Sequence, residues 1–199
     1  MKKTLLIDNY DSFVYNVLHL VKKVTDSPVD IFFNDKIPFG KLDRYSHIIL
    51  SPGPGVPSQA GDMLKLIEIS KESHSILGIC LGHQAIAQHF GAGLINLTHP
   101  LHGHKSILSI VDSNDPLVGE FDKNSPCIVG LYHSWAVNRV GFPQTLSIGS
   151  CNEDNIIMSL YHRSLAIYGV QFHPESVITN MGERIMSNYF YGSSVLPTN

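Results

Sequence analysis

Basic residues never stand more than two together in this chain; Lys2-Lys3 and Lys22-Lys23 are the longest such blocks. The formal net charge is −3, from 14 Lys+Arg and 17 Asp+Glu with histidine neutral, so no basic face for nucleic acid is expected. Long apolar runs are missing too. Near the amino end, Thr4-Leu5-Leu6-Ile7 is halted by Asp8, too short for the apolar region of a secretion signal. No later stretch is long enough to span a bilayer, so no membrane partner is expected. Cysteine is scarce and odd in number: Cys80, Cys127 and Cys151 include no C-x-x-C pair. That fits free thiols in a reducing compartment, and a cytoplasmic protein is expected.

Apolar residues are plentiful. They make up 43% of 199 residues against 16% charged, enough for a large core. The length suits one domain, placed at residues 1–191, with 192–199 as a frayed tail. Up to residue 90 the pattern alternates. Strands are predicted at Thr4 to Asp8, Val29 to Phe33, His47 to Leu50 and Ser75 to Ile79. Helices are predicted at Ser12 to Lys23, capped by Asp11 or Ser12, at Gly61 to Lys71 and at roughly His83 to Phe90. After about residue 93 the runs shorten and Gly and Pro punctuate them, with a last helix at Asn180 to Tyr189. The fold class is α/β: a mostly parallel open sheet with helices on both faces, plus an antiparallel extension or a small second sheet. In such sheets the ligand site lies beyond the carboxyl ends of the strands. Three loops fall there, after Leu50, after Ile79 and after Val170.

The loop after Ile79 organises the rest. Gly78-Ile79-Cys80-Leu81-Gly82 has the G-x-C-x-G form of a nucleophile elbow, with cysteine in place of serine. Such a turn pushes its central residue out at the end of a strand and needs neighbours that are small or tolerate positive φ. The helix that follows begins at the thiol, and its partial positive charge favours thiolate. A thiol nucleophile needs a base, and the base needs an orienting acceptor. His173 and Glu175 stand two apart after Val170, so in an extended segment they point the same way, and Pro174 restricts His173 to extended geometry. The loop after Leu50, Pro52-Gly53-Pro54-Gly55, offers bare backbone N–H groups for an oxyanion, and Leu81 N–H supplies the other donor. Residues 132 to 137, Tyr-His-Ser-Trp-Ala-Val, add a polar cluster with Ser134 that suits a polar substrate. His99, His102 and His104 cluster with zinc-like spacing, but no thiolate or carboxylate stands beside them, so no metal is expected. Cys127 and Cys151 lack the glycine-flanked exit and read as core thiols.

Together these pieces resemble the class I glutamine amidotransferases, and more narrowly the glutaminase subunit of anthranilate synthase and of aminodeoxychorismate synthase. The residues that carry the likeness are Leu6-Ile7-Asp8-Asn9-Tyr10-Asp11-Ser12-Phe13, Ser51 to Gly55, Gly78 to Gln84, His133-Ser134 and Gly169 to Ser176. The resemblance implies that Cys80 is the nucleophile, His173 the general base and acid, and Glu175 its orienting partner. It implies that Gly53, Pro54, Gly55, Leu81, Gln84, Ser134 and Trp135 surround L-glutamine, with the Gln84 amide near the substrate's α-substituents. It implies a partner, a chorismate-binding synthase subunit that uses the ammonia, with Mg2+ expected in that partner and no cofactor in this chain. Two departures stand out. The family usually has Arg-Tyr-His-Ser-Leu where this chain has Leu131-Tyr132-His133-Ser134-Trp135, and His-Gly-Lys where it has His102-Gly103-His104. A stand-alone cysteine hydrolase would share the elbow and the base, and a non-catalytic binding subunit would have no reason to keep all three of Cys80, His173 and Glu175.

Overall fold

In the computed structural model, which describes residues 3–121 and 125–192, the chain begins β1 (Lys3–Asp8), α1 (Val14–Val24), β2 (Val29–Phe33), β3 (Tyr45–Leu50). It continues α2 (Met63–Ser70), β4 (Ser75–Ile79), α3 (Leu81–His89), β5 (Leu94–Asn96), β6 (His104–Ile107) and β7 (Ser109–Ile110). It ends β8 (Ile128–Leu131), β9 (Trp135–Val137), β10 (Leu146–Cys151), β11 (Ile157–His162), β12 (Ile167–Val170) and α4 (Gly182–Tyr191). An eight-stranded sheet runs in the order β2-β1-β3-β4-β12-β11-β10-β7. Its first five strands are parallel and the remaining pairings antiparallel. Two ribbons, β5–β9 and β6–β8, complete the antiparallel part, so the extension and a separate small sheet are both present.

Side-chain alternation explains how this sheet is clad. Leu5, Ile7, Ile48, Leu50 and Ile76 face α2 and α3, meeting Met63, Leu66, Ile67, Ala85 and Ile86. Their neighbours Leu6, Ile49, Leu77 and Ile79 face α1 and α4, meeting Val14, Val17, Val21, Ile185 and Met186. Burying each aliphatic side chain is worth about 1.5–3 kcal/mol, and a one-residue slip would send every one to the wrong face. α4 is also pinned to the sheet, because the Tyr189 hydroxyl lies 3.1 Å from the Ile48 carbonyl oxygen and 2.9 Å from that of Ser75.

The placement that matters most is β12. It is the last strand, yet it lies beside β4 in parallel, with Gly169 opposite Gly78 and Val170 opposite Ile79. The loops after Ile79 and after Val170 therefore leave the sheet side by side. The predicted first helix starts later than expected. Phe13 precedes it without a side-chain cap, and the Asp11 carboxylate instead accepts the Phe13 N–H at 2.6 Å in the turn before it. The 192–199 tail falls, after Gly192, outside the described residues. No helix among the described residues is long and apolar enough to cross a membrane.

Candidate active site

Cys80 stands between β4 and α3 with φ 52° and ψ −98°, a strained backbone that a non-glycine residue holds at a cost of about 1–3 kcal/mol. Its N–H donates to the Val170 carbonyl at 2.8 Å, which ties the elbow to the end of β12. The flanking glycines serve close packing rather than positive φ. A Cβ on Gly78 would lie 2.4 Å from the Gly82 backbone, and one on Gly82 would lie 2.5 Å from the Leu50 carbonyl oxygen. The elbow can nest against β3 only while both are bare. Gly82→Ala is therefore expected to destabilise the protein by about 1–3 kcal/mol, read as a lower urea midpoint. An unchanged midpoint would contradict the packing argument.

The chain leaves β12 at Gln171 and returns at once. The His173 N–H donates to the Gly130 carbonyl at 3.0 Å, and the Thr179 hydroxyl donates to the His173 carbonyl at 2.6 Å. Glu175 lies in a turn rather than in extended chain, yet its Oε1 is 2.7 Å from His173 Nδ1. Both side chains are almost wholly buried. His173 Nε2 is buried without a hydrogen-bond partner, on a ring that interacts with the Cys80 thiol. Burial disfavours the charged ring, but Cys80 and Glu175 outweigh it, and the His173 pKa is raised above the usual histidine range. Phe13 and Tyr132 meet the imidazole edge-on, with centroids at 5.6 Å and 4.9 Å, and restrict its tilt.

Beside the thiol lies a cavity of about 140 Å³, lined by Gly53, Pro54, Gly55, Cys80, Leu81, Gln84 and residues 132–135. Every residue predicted to surround a substrate is in its wall. It is small enough to admit a compact polar ligand and little else. The Leu81 N–H is the first of α3 and has no partner within the helix. Gly53 sits hard against Asn9 and Leu81, since a Cβ there would be 2.6 Å from Asn9 Cβ and 2.8 Å from Leu81 Cδ2. Asn9 in turn is buried, with its amide donating to the Ser51 carbonyl at 2.8 Å and accepting from Asn34 at 3.0 Å. The opening Asp8-to-Phe13 segment thus supports the glycine loop with Asn9 and the histidine with Phe13.

Trp135, where the family usually has leucine, contributes backbone contacts to the site. Its carbonyl accepts from Gln84 Nε2 at 2.7 Å and lies 2.9 Å from His133 Nδ1. Gln84 also donates to Gln171 Oε1 at 3.1 Å, so its donor protons are committed inside the protein. Gln171, fully buried, has its Nε2 3.6 Å from Cys80 Sγ. It was not among the residues expected at the site. The signal was present in the same two-residue spacing that singled out His173 and Glu175, because Gln171 is the next residue back in that series. His102 meets Tyr132 edge-on at 5.8 Å, and among the described residues no three His, Cys, Asp or Glu side chains gather as metal ligands would. Cys127 is buried and its thiol is pushed up to about 12 by burial; Cys151 is buried as well.

A thiol and imidazole so arranged suit acyl transfer at a carbonyl carbon. Comparison with known proteins supplies the family: residues 5–192 match the model for glutamine amidotransferase class-I, and the chain belongs to it. An anthranilate synthase component 2 from Saccharolobus solfataricus is 40% identical over 194 residues, covering 95% of this chain and 98% of that one. An aminodeoxychorismate synthase from Streptomyces griseus is 37% identical over 94% of this chain, but the match takes up only 25% of that longer protein. Among solved structures, a Thermoplasma acidophilum protein assigned to GMP synthase superposes with a TM-score of 0.82 at 27% identity, over 95% of this chain and 92% of that one.

Proposed function

We propose that this amidotransferase is the glutaminase subunit of an anthranilate synthase and passes ammonia to a chorismate-binding partner. The observation that carries the reading is His173: Nδ1 is held by Glu175 at 2.7 Å while Nε2 is buried and unpartnered on a ring coupled to the Cys80 thiol. Cys80 Sγ attacks the side-chain amide carbon of glutamine. The carbonyl π electrons move to oxygen, which the N–H groups of Leu81 and the glycine loop receive. His173 Nε2 gives its proton to the departing nitrogen. Collapse breaks the C–N bond, releasing NH₃ and leaving a γ-glutamyl thioester. The now neutral His173 takes a proton from water, whose oxygen attacks the thioester, and glutamate leaves as the thiolate returns. Throughout, Glu175 fixes the tautomer and tilt of the ring.

The thioester half needs only this chain, but NH₃ released into bulk water is protonated and loses its nucleophilicity. A sheltered path into the partner follows. The similarity to component 2 proteins over nearly their full length supports that division of labour. The Streptomyces griseus relative supports a second reading, supply of ammonia for aminodeoxychorismate.

The test is to purify the native complex and supply chorismate with glutamine labelled in its side-chain amide. Labelled anthranilate is the expected product, and labelled aminodeoxychorismate would install the second reading instead. Fast hydrolysis of peptide or γ-glutamyl bonds by the isolated chain, unaffected by a partner, would make it a stand-alone hydrolase.

A further inference from the structure

We propose that Gln171 is a catalytic residue of the site, a hydrogen-bond donor to the Cys80 sulfur that Gln84 holds in its donating orientation. The proposal rests on the reading of Cys80 as the nucleophile. A backbone carbonyl can only accept, so the Gln84 atom 2.7 Å from the Trp135 oxygen must be its nitrogen. That nitrogen also lies 3.1 Å from the Gln171 side chain, which must present oxygen to it, since two amide nitrogens would face each other otherwise. With its oxygen so engaged, Gln171 turns its nitrogen to Cys80 Sγ at 3.6 Å, an ordinary separation for a sulfur acceptor. One carbonyl of β9 thereby sets two amide flips and points a donor at the thiol.

The donor is rigid and dry. Gln171 is fully buried, its own N–H donates to the Met158 carbonyl at 2.8 Å, and it is not part of the cavity wall that a substrate would touch. A neutral donor in such a place stabilises the charged sulfur more than the thiol, because a hydrogen bond to an ion is stronger than one to a neutral group. It also leaves the imidazole free to act on the leaving nitrogen. The titratable groups about Gln171 and the thiol are His173, paired with Glu175 after β12, His83 on α3 and His133 after β8. His83 and His133 are neutral at physiological pH because burial lowers both, so Gln171 competes with no cation on that side.

The test uses the full chain and its complex with Gln171→Met, which keeps length and loses the donor, and Gln171→Leu, which also loses the donor and adds no charge. Iodoacetamide alkylation is followed against pH, with Cys80 resolved from the other cysteines by peptide mass, and urea midpoints show which variants are folded. In a folded variant the pH profile of Cys80 alkylation is expected to move about one pH unit upward. In the complex, kcat is expected to fall about tenfold with KM for glutamine unchanged. Gln84→Met leaves Gln171 present but unanchored, and a smaller displacement in the same direction is expected. A wild-type profile in any folded Gln171 variant overturns the proposal, as does a higher KM with kcat intact. If both Gln171 variants unfold, an unmoved profile in Gln84→Met overturns it. A displaced profile in a protein that never hydrolyses glutamine would leave Gln171 as a donor to sulfur while the glutaminase reading fails.

Discussion

Replacing Cys80 by serine is expected to lower glutamine-dependent amination by the complex at least about a thousandfold while leaving amination from added ammonium salt intact. Serine fits the elbow as cysteine does, because the space there is set by Gly78 and Gly82 and by the cavity rather than by the side-chain atom. What changes is the nucleophile. A hydroxyl is far harder to ionise than a thiol, and His173, with its pKa raised in part by the thiol, loses the group it is matched to. The cavity wall from Gly53 to Gly55 and at residues 132–135 is untouched, so glutamine should still bind. The two activities are measured on one purified complex, by product formed from chorismate with either nitrogen source. Loss of both in a folded complex would overturn the division of labour between the two subunits. Survival of the glutamine-dependent activity would mean that another group attacks.

Cys80, His173 and Glu175 could be singled out in the sequence because each is marked by near neighbours. Glycines two residues to either side of Cys80 announce a crowded turn, and Glu175 stands close enough in sequence to His173 to reach its ring, although through a turn rather than the extended chain that the spacing suggested. The parallel half of the sheet was legible for a similar reason, since strand and helix periods alternate over short distances. What was not legible is what the chain brings from far away. Nothing local says that β12 inserts beside β4, which is what places His173 against Cys80. Nothing local says that Asn9 lies under Gly53, or that the Trp135 carbonyl, through Gln84, turns Gln171 toward the thiol. Helical spacing put Gln84 on the right face, but nothing local names the two acceptors that occupy its amide nitrogen. The first helix began late because Asp11 was bound to the Phe13 N–H in the preceding turn, a competition that capping preferences alone do not decide.

The protein is expected to lose about 4 kcal/mol of stability between pH 7 and pH 5, with the ring pair behind the site as the main cause. Burial is the first reason that His83 is lowered to about 3, and repulsion from His133 adds to it, with the neighbouring Gln171 side chain a smaller opposing influence. Burial likewise lowers His133 to about 4, opposed by the Trp135 carbonyl. In the unfolded chain each titrates near 6.5, so between the folded and unfolded values the unfolded state binds more protons. Stability from this source is nearly complete at pH 7 and falls by roughly 1.4 kcal/mol per pH unit per ring below about 6.5. Against a typical total of about 5–15 kcal/mol, two rings are enough to dominate. His47, His89 and His162, also lowered by burial, act in the same direction. His173 has the opposite sign and offsets a minor part of the fall near pH 6.5, where its ring is protonated in the folded state and only half protonated in the unfolded one. Asp115, whose carboxyl is raised chiefly by burial, also opposes it and takes effect toward the acidic end. Urea denaturation at the two pH values measures the difference, and His83→Gln should remove close to half of it by taking away one buried titrating ring. Equal midpoint concentrations at both pH values would show that His83 and His133 become protonated inside the folded protein without penalty.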